Sequence, residues 1–134
     1  QEQYSHTFKA QLQTAEAHGL LSIGSIKPEK LAAFYKAQRP QNTATERQFH
    51  ALQRIIYNVL HRGTGFATAI AHPEDQRLLA ADFFIFSHGR MLSLAPSVST
   101  EGRAMGALEL LYDYMIRANA NRPLLLDFNM VFLL

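Results

Sequence analysis

The amino-acid sequence predicts an α+β fold in which helices cover a mixed β-sheet, and three patterns lead to that expectation. Apolar residues recur at three- and four-residue spacing through most of the first half, which is typical of amphipathic helices. The spacing changes to a period of two across "GFATAIAH" (65–72). A last helical pattern is followed by the apolar run "PLLLDFNMV" (123–131), which predicts a fully buried strand.

The first part of the chain is predicted to be largely helical. Residues 1–18 form an amphipathic helix that Gly19 ends, because glycine readily adopts the left-handed conformation that follows a last helical turn. The run "LLSIGSI" (20–26) predicts a short strand. A second helix is expected over 28–38, since the proline at its first position is preorganised for a helix.

Thr43 and Glu46 match the S/T-x-x-E pattern of a capping box, which predicts that a third helix begins there. Its apolar residues, from Phe49 onward, fall on one face, as expected for a helix that packs on a core. The helix is expected to run to about Arg62, where Gly63 stops it.

The second part of the chain predicts an antiparallel meander and then a helix and a strand. Three strands are expected over 65–72, 77–86 and 91–97, joined by turns short enough for neighbouring antiparallel strands. The middle strand is apolar on both faces and is therefore predicted to be central. A helix over 101–120 and a strand over 123–131 complete the order.

Composition excludes several classes of protein. The chain has 134 residues, 48% of them hydrophobic and 18% charged, which suits one globular domain over residues 1–134. A net charge of +2 is too small to indicate DNA as a partner. The absence of cysteine removes thiolate chemistry and fits a reducing, cytoplasmic location. No apolar run approaches the roughly 20 residues that span a bilayer, so no membrane partner is predicted.

The stretch "STEGRAMGALELL" (99–111) opens the last predicted helix and has two interpretations. A helix N-terminus attracts phosphate through its unpaired N–H groups and partial positive charge, and glycine lets the ligand approach closely. Arg103 would add charge and donors. In the second interpretation a hydroxyl residue caps the helix, Gly102 lies in a turn and Gly106 permits close packing on the sheet. Glu101, in the first turn, would repel a phosphate.

The order of elements after the leading helix resembles the fold of the GNAT N-acyltransferases. The segments "YSHTFKAQLQTAEAHGL" and "LLAADFFIFSHGRMLSLAPSVSTEGRAMGALELLYDYMI", followed by "LLLDF", are similar to the FemAB-like, BioF2-like branch, whose members are mostly bacterial. In that fold a further helix and two strands follow the Asp-bearing strand. Because the chain begins at Gln1 and stops at "NMVFLL", it is expected to be a fragment, or to lack the last strands of the fold.

The resemblance implies an acyl-CoA co-substrate, with acetyl-CoA as the first candidate. In GNAT enzymes the pattern Q/R-x-x-G-x-G/A holds the pyrophosphate, and Arg103 and Gly106 match its first four positions, whereas Leu108 stands where the pattern has Gly or Ala. The end of the meander would offer backbone groups to the pantetheine arm. Pro96 has no N–H, so the ladder is expected to be interrupted there, which fits both the opening between strands in the GNAT fold and a simple strand end. The implied cofactor-binding residues are Leu92, Leu94, Arg103, Ala104, Met105, Gly106 and Ala107.

Transfer to an amine needs a general base, and the resemblance implies Asp127, on the last strand, for that role. Asn129 follows on the same strand face and is implied to bind the acceptor, and Tyr112 is a second catalytic candidate. A structural interpretation stands beside each role: Asp127 as a buried carboxylate bonded to backbone or arginine, and Tyr112 as a core residue. Asp82, between apolar strand residues, has the same two interpretations. Glu101 and His72 are further candidate bases.

Three functional hypotheses follow. The first is an acyl-CoA-dependent N-acyltransferase, the second a non-catalytic GNAT-like binding domain, and the third a FemAB-type aminoacyl transferase. A tRNA donor is not expected, because the basic residues near the leading helix are few. The six histidines show no ligand spacing, so no metal is predicted. A homodimer, or pairing with a second GNAT-like domain, is the expected assembly if the sheet ends in an open edge.

Overall fold

In the computed structural model, the protein folds as a mixed β-sheet with helices on both faces. The structure describes residues 5–87 and 89–119 and the backbone of 125–127. The helices of this described part are α1 (His6–Ala17), α2 (Pro28–Ala37), α3 (Thr43–Arg62), α4 (Thr100–Met105) and α5 (Ala107–Ala118). Its strands are β1 (Leu21–Ile23), β2 (Gly65–Ala71), β3 (Leu78–Ser87), β4 (Arg90–Ser93), β5 (Ser97–Val98) and β6 (Leu125–Asp127).

The sheet has the order β1-β2-β3-β4-β6, and β5 pairs with β3 beyond the end of β4. Strands β1 to β4 are antiparallel, whereas β6 runs parallel to β4. A parallel neighbour requires a crossover connection, and α4 and α5 supply it. The predicted α+β class, with a meander followed by a helix and a parallel strand, is confirmed.

The core has a layer on each face of the sheet, and β3 contributes to both. Phe83 packs in a cluster with Leu31 of α2 and Leu52 of α3. The next residue, Phe84, packs in a cluster with Phe8 of α1 and with residues of α5. Because successive strand residues point to opposite faces, a central strand covered on both sides needs apolar residues on both faces. The prediction that this strand is central is confirmed.

Helix caps explain most of the boundaries, with one correction. Gly19 and Gly63 adopt positive φ angles of 65° and 70° after the last helical turns, as predicted. The predicted capping box at Thr43 was wrong, because Asn42 is the N-cap of α3 and its side chain accepts the Thr45 N–H at 2.9 Å. Glu46 instead pairs with Lys36 of α2 at 3.0 Å.

Two predicted elements are interrupted. The helix expected over 101–120 is broken at Gly106, which has a φ of 73° and separates α4 from α5. A Cβ at this position would overlap the Gln11 carbonyl oxygen of α1, so the break allows α1 to pack there. The strand expected over 91–97 is split into β4 and β5. The strand expected over 123–131 is described only at 125–127.

Candidate active site

The interruption between β4 and β5 is a β-bulge. Three residues, 94–96, separate the two strands, while two residues of β3, 82–83, lie opposite them. The extra residue leaves the ladder locally unpaired and bends the strand. Pro96 has no N–H to donate, so it suits the unpaired position. Leu94 keeps one ladder bond, donating its N–H to the Phe83 carbonyl at 2.9 Å.

The carboxylate of Asp82 fills the space that the bulge creates. The residue is fully buried. Its Oδ1 accepts the Ala95 N–H at 2.9 Å and the Phe83 N–H at 2.7 Å, and its Oδ2 accepts the Ser93 hydroxyl. Ala95 lies in the bulge, where no strand carbonyl is positioned for its N–H. The side chain therefore replaces a missing ladder partner.

Burial dominates the electrostatics of this group. It raises the pKa of Asp82 to about 7, because a low-dielectric environment disfavours the charged form. The hydrogen bonds from Ser93, Ala95 and Phe83 act in the opposite direction. Asp82 therefore changes charge near neutral pH while it is fully buried.

Tyr112, a predicted catalytic residue, lies over the same cluster. Its side chain is fully buried, and its hydroxyl is 3.3 Å from the Ser93 Oγ. Burial raises the pKa of Tyr112, and the nearby charge of Asp82 raises it further. The tyrosine thus has the position of a core residue whose hydroxyl joins an internal hydrogen-bond network.

Arg39 holds the bulge from the α2 side. Its guanidinium donates to the Pro96 carbonyl at 3.2 Å and to the Ser97 Oγ at 3.1 Å, and it also donates to the Tyr35 carbonyl. The guanidinium lies 3.4 Å from the centroid of the Tyr35 ring, where the ring's electrons attract a cation. The backbone of the bulge is thus bound on both sides, by Asp82 and by Arg39.

The glycines of the predicted phosphate motif contact protein backbone. Ser99 caps α4 by accepting the Gly102 N–H at 2.9 Å. A Cβ at Gly102 would overlap the Leu79 carbonyl oxygen of β3, and one at Gly106 would overlap that of Gln11. Close backbone packing accounts for both glycines without a ligand.

A cavity of about 290 Å³ lies where α5 begins and is lined by Val98, Arg103, Leu108 and Glu109. The Arg103 side chain is exposed, as is that of Ala104. Met105 is half-buried, whereas Gly106 and Ala107 are buried against neighbouring elements. Of the predicted helix-start residues, Arg103 is therefore the one that lines this cavity.

The carboxylate in this cavity is Glu109, which the sequence analysis did not single out. It accepts its own backbone N–H in the first turn of α5, burial raises its pKa, and Arg103 attracts its charge. Glu101, which was expected to repel phosphate, is held instead by Arg77, whose Nε donates at 2.8 Å. That hydrogen bond lowers the pKa of Glu101. Glu109 was missed because a polar residue in a helical pattern has no distinctive spacing.

The remaining predicted residues lie on or beside the sheet. The side chains of Leu92 and Leu94 are half-buried, and the backbone of Asp127 is in parallel register with Leu92. The side chain of Asp127, and the whole of Asn129, fall outside the described residues. His72 follows β2, and its Nδ1 accepts the Glu74 N–H at 3.2 Å, so it serves a turn.

The described residues also bear on metal binding and on membrane crossing. In that part of the chain no three histidine or acidic side chains are grouped so that they could hold a metal ion. None of its helices has the length and apolar character needed to cross a bilayer.

The comparisons with known proteins leave the family open. No family model matches the chain, and no curated protein matches it in sequence. Among solved structures, the chain is similar to an acetyltransferase from Trypanosoma brucei, with a TM-score of 0.46 and 12% sequence identity over 81% of this chain and 82% of that chain.

Proposed function

We propose that this chain is an acyltransferase that takes its acyl group from an acyl-CoA, acetyl-CoA first, and transfers it to an amine. One observation carries the proposal: the exposed guanidinium of Arg103 lines a cavity at the start of α5, the helix that follows the meander. A helix start with an arginine beside it favours a pyrophosphate. This is the position at which the GNAT-like pattern predicts the donor.

In the proposed mechanism, Arg103 and the N–H groups at the start of α5 that precede Glu109 bind the pyrophosphate, and the backbone at Leu92 and Leu94 lies along the pantetheine arm. The amine nitrogen attacks the thioester carbonyl, a carbon–nitrogen bond forms, the carbon–sulfur bond breaks and CoA leaves as its thiolate. A general base takes the proton from the amine. We assign that role to Asp127 and acceptor binding to Asn129.

The proposal extends to the branch of the family, the location of the protein and its assembly. The leading helix and the Asp-bearing strand β6 support the FemAB-like branch, and a cytoplasmic location and pairing with a second GNAT-like domain accompany it. An aminoacyl-tRNA donor becomes the alternative if acyl-CoA does not bind.

A non-catalytic GNAT-like domain is the second candidate function, and two observations favour it. The backbone of α1 at Gln11 occupies the space beside Gly106, where a donor would have to approach the motif. The carboxylate of Glu109 also lies in the cavity that would receive the pyrophosphate. Such a domain would keep the fold and lack donor binding.

Thermal unfolding with CoA or acetyl-CoA separates the two candidates. A ligand at 100 times its Kd adds about 2.7 kcal/mol to the free energy of unfolding, so we expect Tm to rise by several degrees. The rise should disappear in Arg103→Ala, which removes the guanidinium from the cavity. Arg47→Ala is the matched control, because Arg47 is an exposed arginine on α3. No rise in the folded wild-type protein would count against an acyl-CoA donor and leave the non-catalytic domain and the aminoacyl-tRNA donor as the candidates.

Glu109→Gln is expected to tighten CoA binding several-fold. The substitution removes a negative charge from the cavity while keeping the size of the side chain, and like charges repel strongly where burial limits screening. Isothermal titration with CoA measures the change. Glu101→Gln is the control, because Arg77 already pairs with that carboxylate and the affinity should stay within about twofold. Equal affinities of the Glu109→Gln variant and the wild type would place the pyrophosphate elsewhere.

A further inference from the structure

In the sequence, the bulge between β4 and β5 comes just before a residue that lines the proposed donor cavity. Residues 94–96 form the bulge, and β5 follows at once with Ser97 and Val98. Val98 lines the cavity. Ser99, the next residue, donates its N–H to the Leu79 carbonyl at 3.0 Å and caps α4. A displacement of the bulge therefore moves one wall of the cavity and the cap of the helix that carries Arg103.

We propose that Asp82 is a positioning residue that fixes the bulge and, through β5, the wall of the donor cavity. This inference rests on the proposed function. Asp82 does not touch the donor, since its side chain is fully buried and, among the described residues, bonds to Ser93, Ala95 and Phe83. It acts through the Ala95 N–H, which it holds at 2.9 Å.

The role needs an acceptor oxygen on the side chain. Without it the buried Ala95 N–H loses its partner, and an unpaired buried donor is costly enough to change the local backbone. Asp82→Asn keeps an acceptor for the bulge, because the amide oxygen can accept the Ala95 N–H and the NH₂ group can donate to the Ser93 Oγ. Alanine keeps neither bond. Arg39 holds the other side of the bulge in all variants, so the loss in Asp82→Ala is expected to centre on Ala95.

The test combines a backbone measurement with a binding measurement. Amide hydrogen exchange by NMR reports the protection of the Ala95 N–H in the free protein, and isothermal titration reports the Kd for acetyl-CoA. The variants are Asp82→Ala, Asp82→Asn and the control Asp113→Ala. Asp113 is also a buried carboxylate, but it pairs with Arg117 along α5 at 2.8 Å. Its removal therefore measures the effect of losing a buried carboxylate outside the bulge.

For Asp82→Ala we expect Ala95 exchange at least tenfold faster, relative to neighbouring β3 amides, and a Kd at least tenfold higher. Asp82→Asn should restore both to within about threefold, and Asp113→Ala should leave both near the wild type. Unchanged exchange in Asp82→Ala, or equal weakening by Asp113→Ala, overturns the inference while the proposed function stands. A folded wild type that binds no acyl-CoA overturns the proposed function and, with it, the role of Asp82 in shaping the donor cavity. Exchange of the Ala95 N–H then tests separately whether Asp82 holds the bulge.

Discussion

Gly102→Ala is expected to lower the free energy of unfolding by about 3 kcal/mol, which is at the upper end for overpacking of a core. The new Cβ would overlap the Leu79 carbonyl oxygen and crowd the Leu79 Cβ. Leu79 is fully buried on the central strand β3, so its backbone has no room to withdraw. The variant therefore forces α4 away from the sheet. Urea unfolding followed by circular dichroism measures the loss.

Gly24→Ala is the matched control for this prediction. Gly24 follows β1, its φ is not positive, and a Cβ there would meet nothing within 4 Å. We expect its free energy of unfolding to stay within about 0.5 kcal/mol of the wild type. If Gly102→Ala is as stable as Gly24→Ala, close packing does not explain Gly102, and a ligand contact at α4 becomes the better explanation.

The second large effect is a dependence of stability on pH that comes from Asp82. Folding raises its pKa from 3.8 to about 7, so between these values the folded state keeps a proton that the unfolded state has lost. The stabilisation is fully present below about pH 4 and is lost as pH rises through about 7. The expected loss is on the order of a few kcal/mol, because each pKa unit is worth about 1.4 kcal/mol.

Asp82→Asn isolates this effect from the other carboxylates. The amide does not titrate, so the stability of the variant relative to the wild type should rise as pH increases from about 4 to about 7. Salt-bridged carboxylates such as Glu101, whose pKa is lowered, change stability at lower pH and equally in both proteins. Urea unfolding at several pH values provides the comparison. A constant difference between the two proteins would contradict the raised pKa.

Local patterns were sufficient for most of the fold. Glycine after a helical turn predicted the ends of α1 and α3, and Pro28 predicted the start of α2. The change to a period of two located the meander, because alternation is a direct result of strand geometry. The cap of α3 was misplaced by one residue, since Asn42 and Thr43 are both good caps and only the backbone distinguishes them.

The break at Gly106 and the side-chain partner of the bulge could not be predicted, because both depend on contacts between distant segments. Apolar residues on both sides of Gly106 keep helical spacing, and the break is favoured only by the approach of α1. The bulge likewise depends on Asp82, which lies on another strand and supplies the acceptor for Ala95. Sequence showed Asp82 as a polar residue among apolar ones but gave no sign of its partner.

The candidate site was predictable in part. The GNAT-like pattern pointed to Arg103, which does line a cavity at the start of α5. It did not point to Glu109. The carboxylate of that residue interacts with its own backbone N–H and with the charge of Arg103, and both contacts form only when the chain is folded. The roles given to Asp127 and Asn129 stay predictions.

The packing of α1 on α5 has a consequence for the chain while it is being synthesised. Phe8, Leu12 and Ala15 are buried in the finished fold, and Phe8 and Leu12 share their cluster with Tyr112. The ribosome reaches α5 roughly ninety residues after it completes α1, which takes about 5 to 20 s at usual rates of synthesis. During this interval the apolar side of α1 lacks Tyr112 and Met115, its native partners on α5. A nascent chain of this protein should therefore offer chaperones a binding site at α1, and that site should close when α5 emerges.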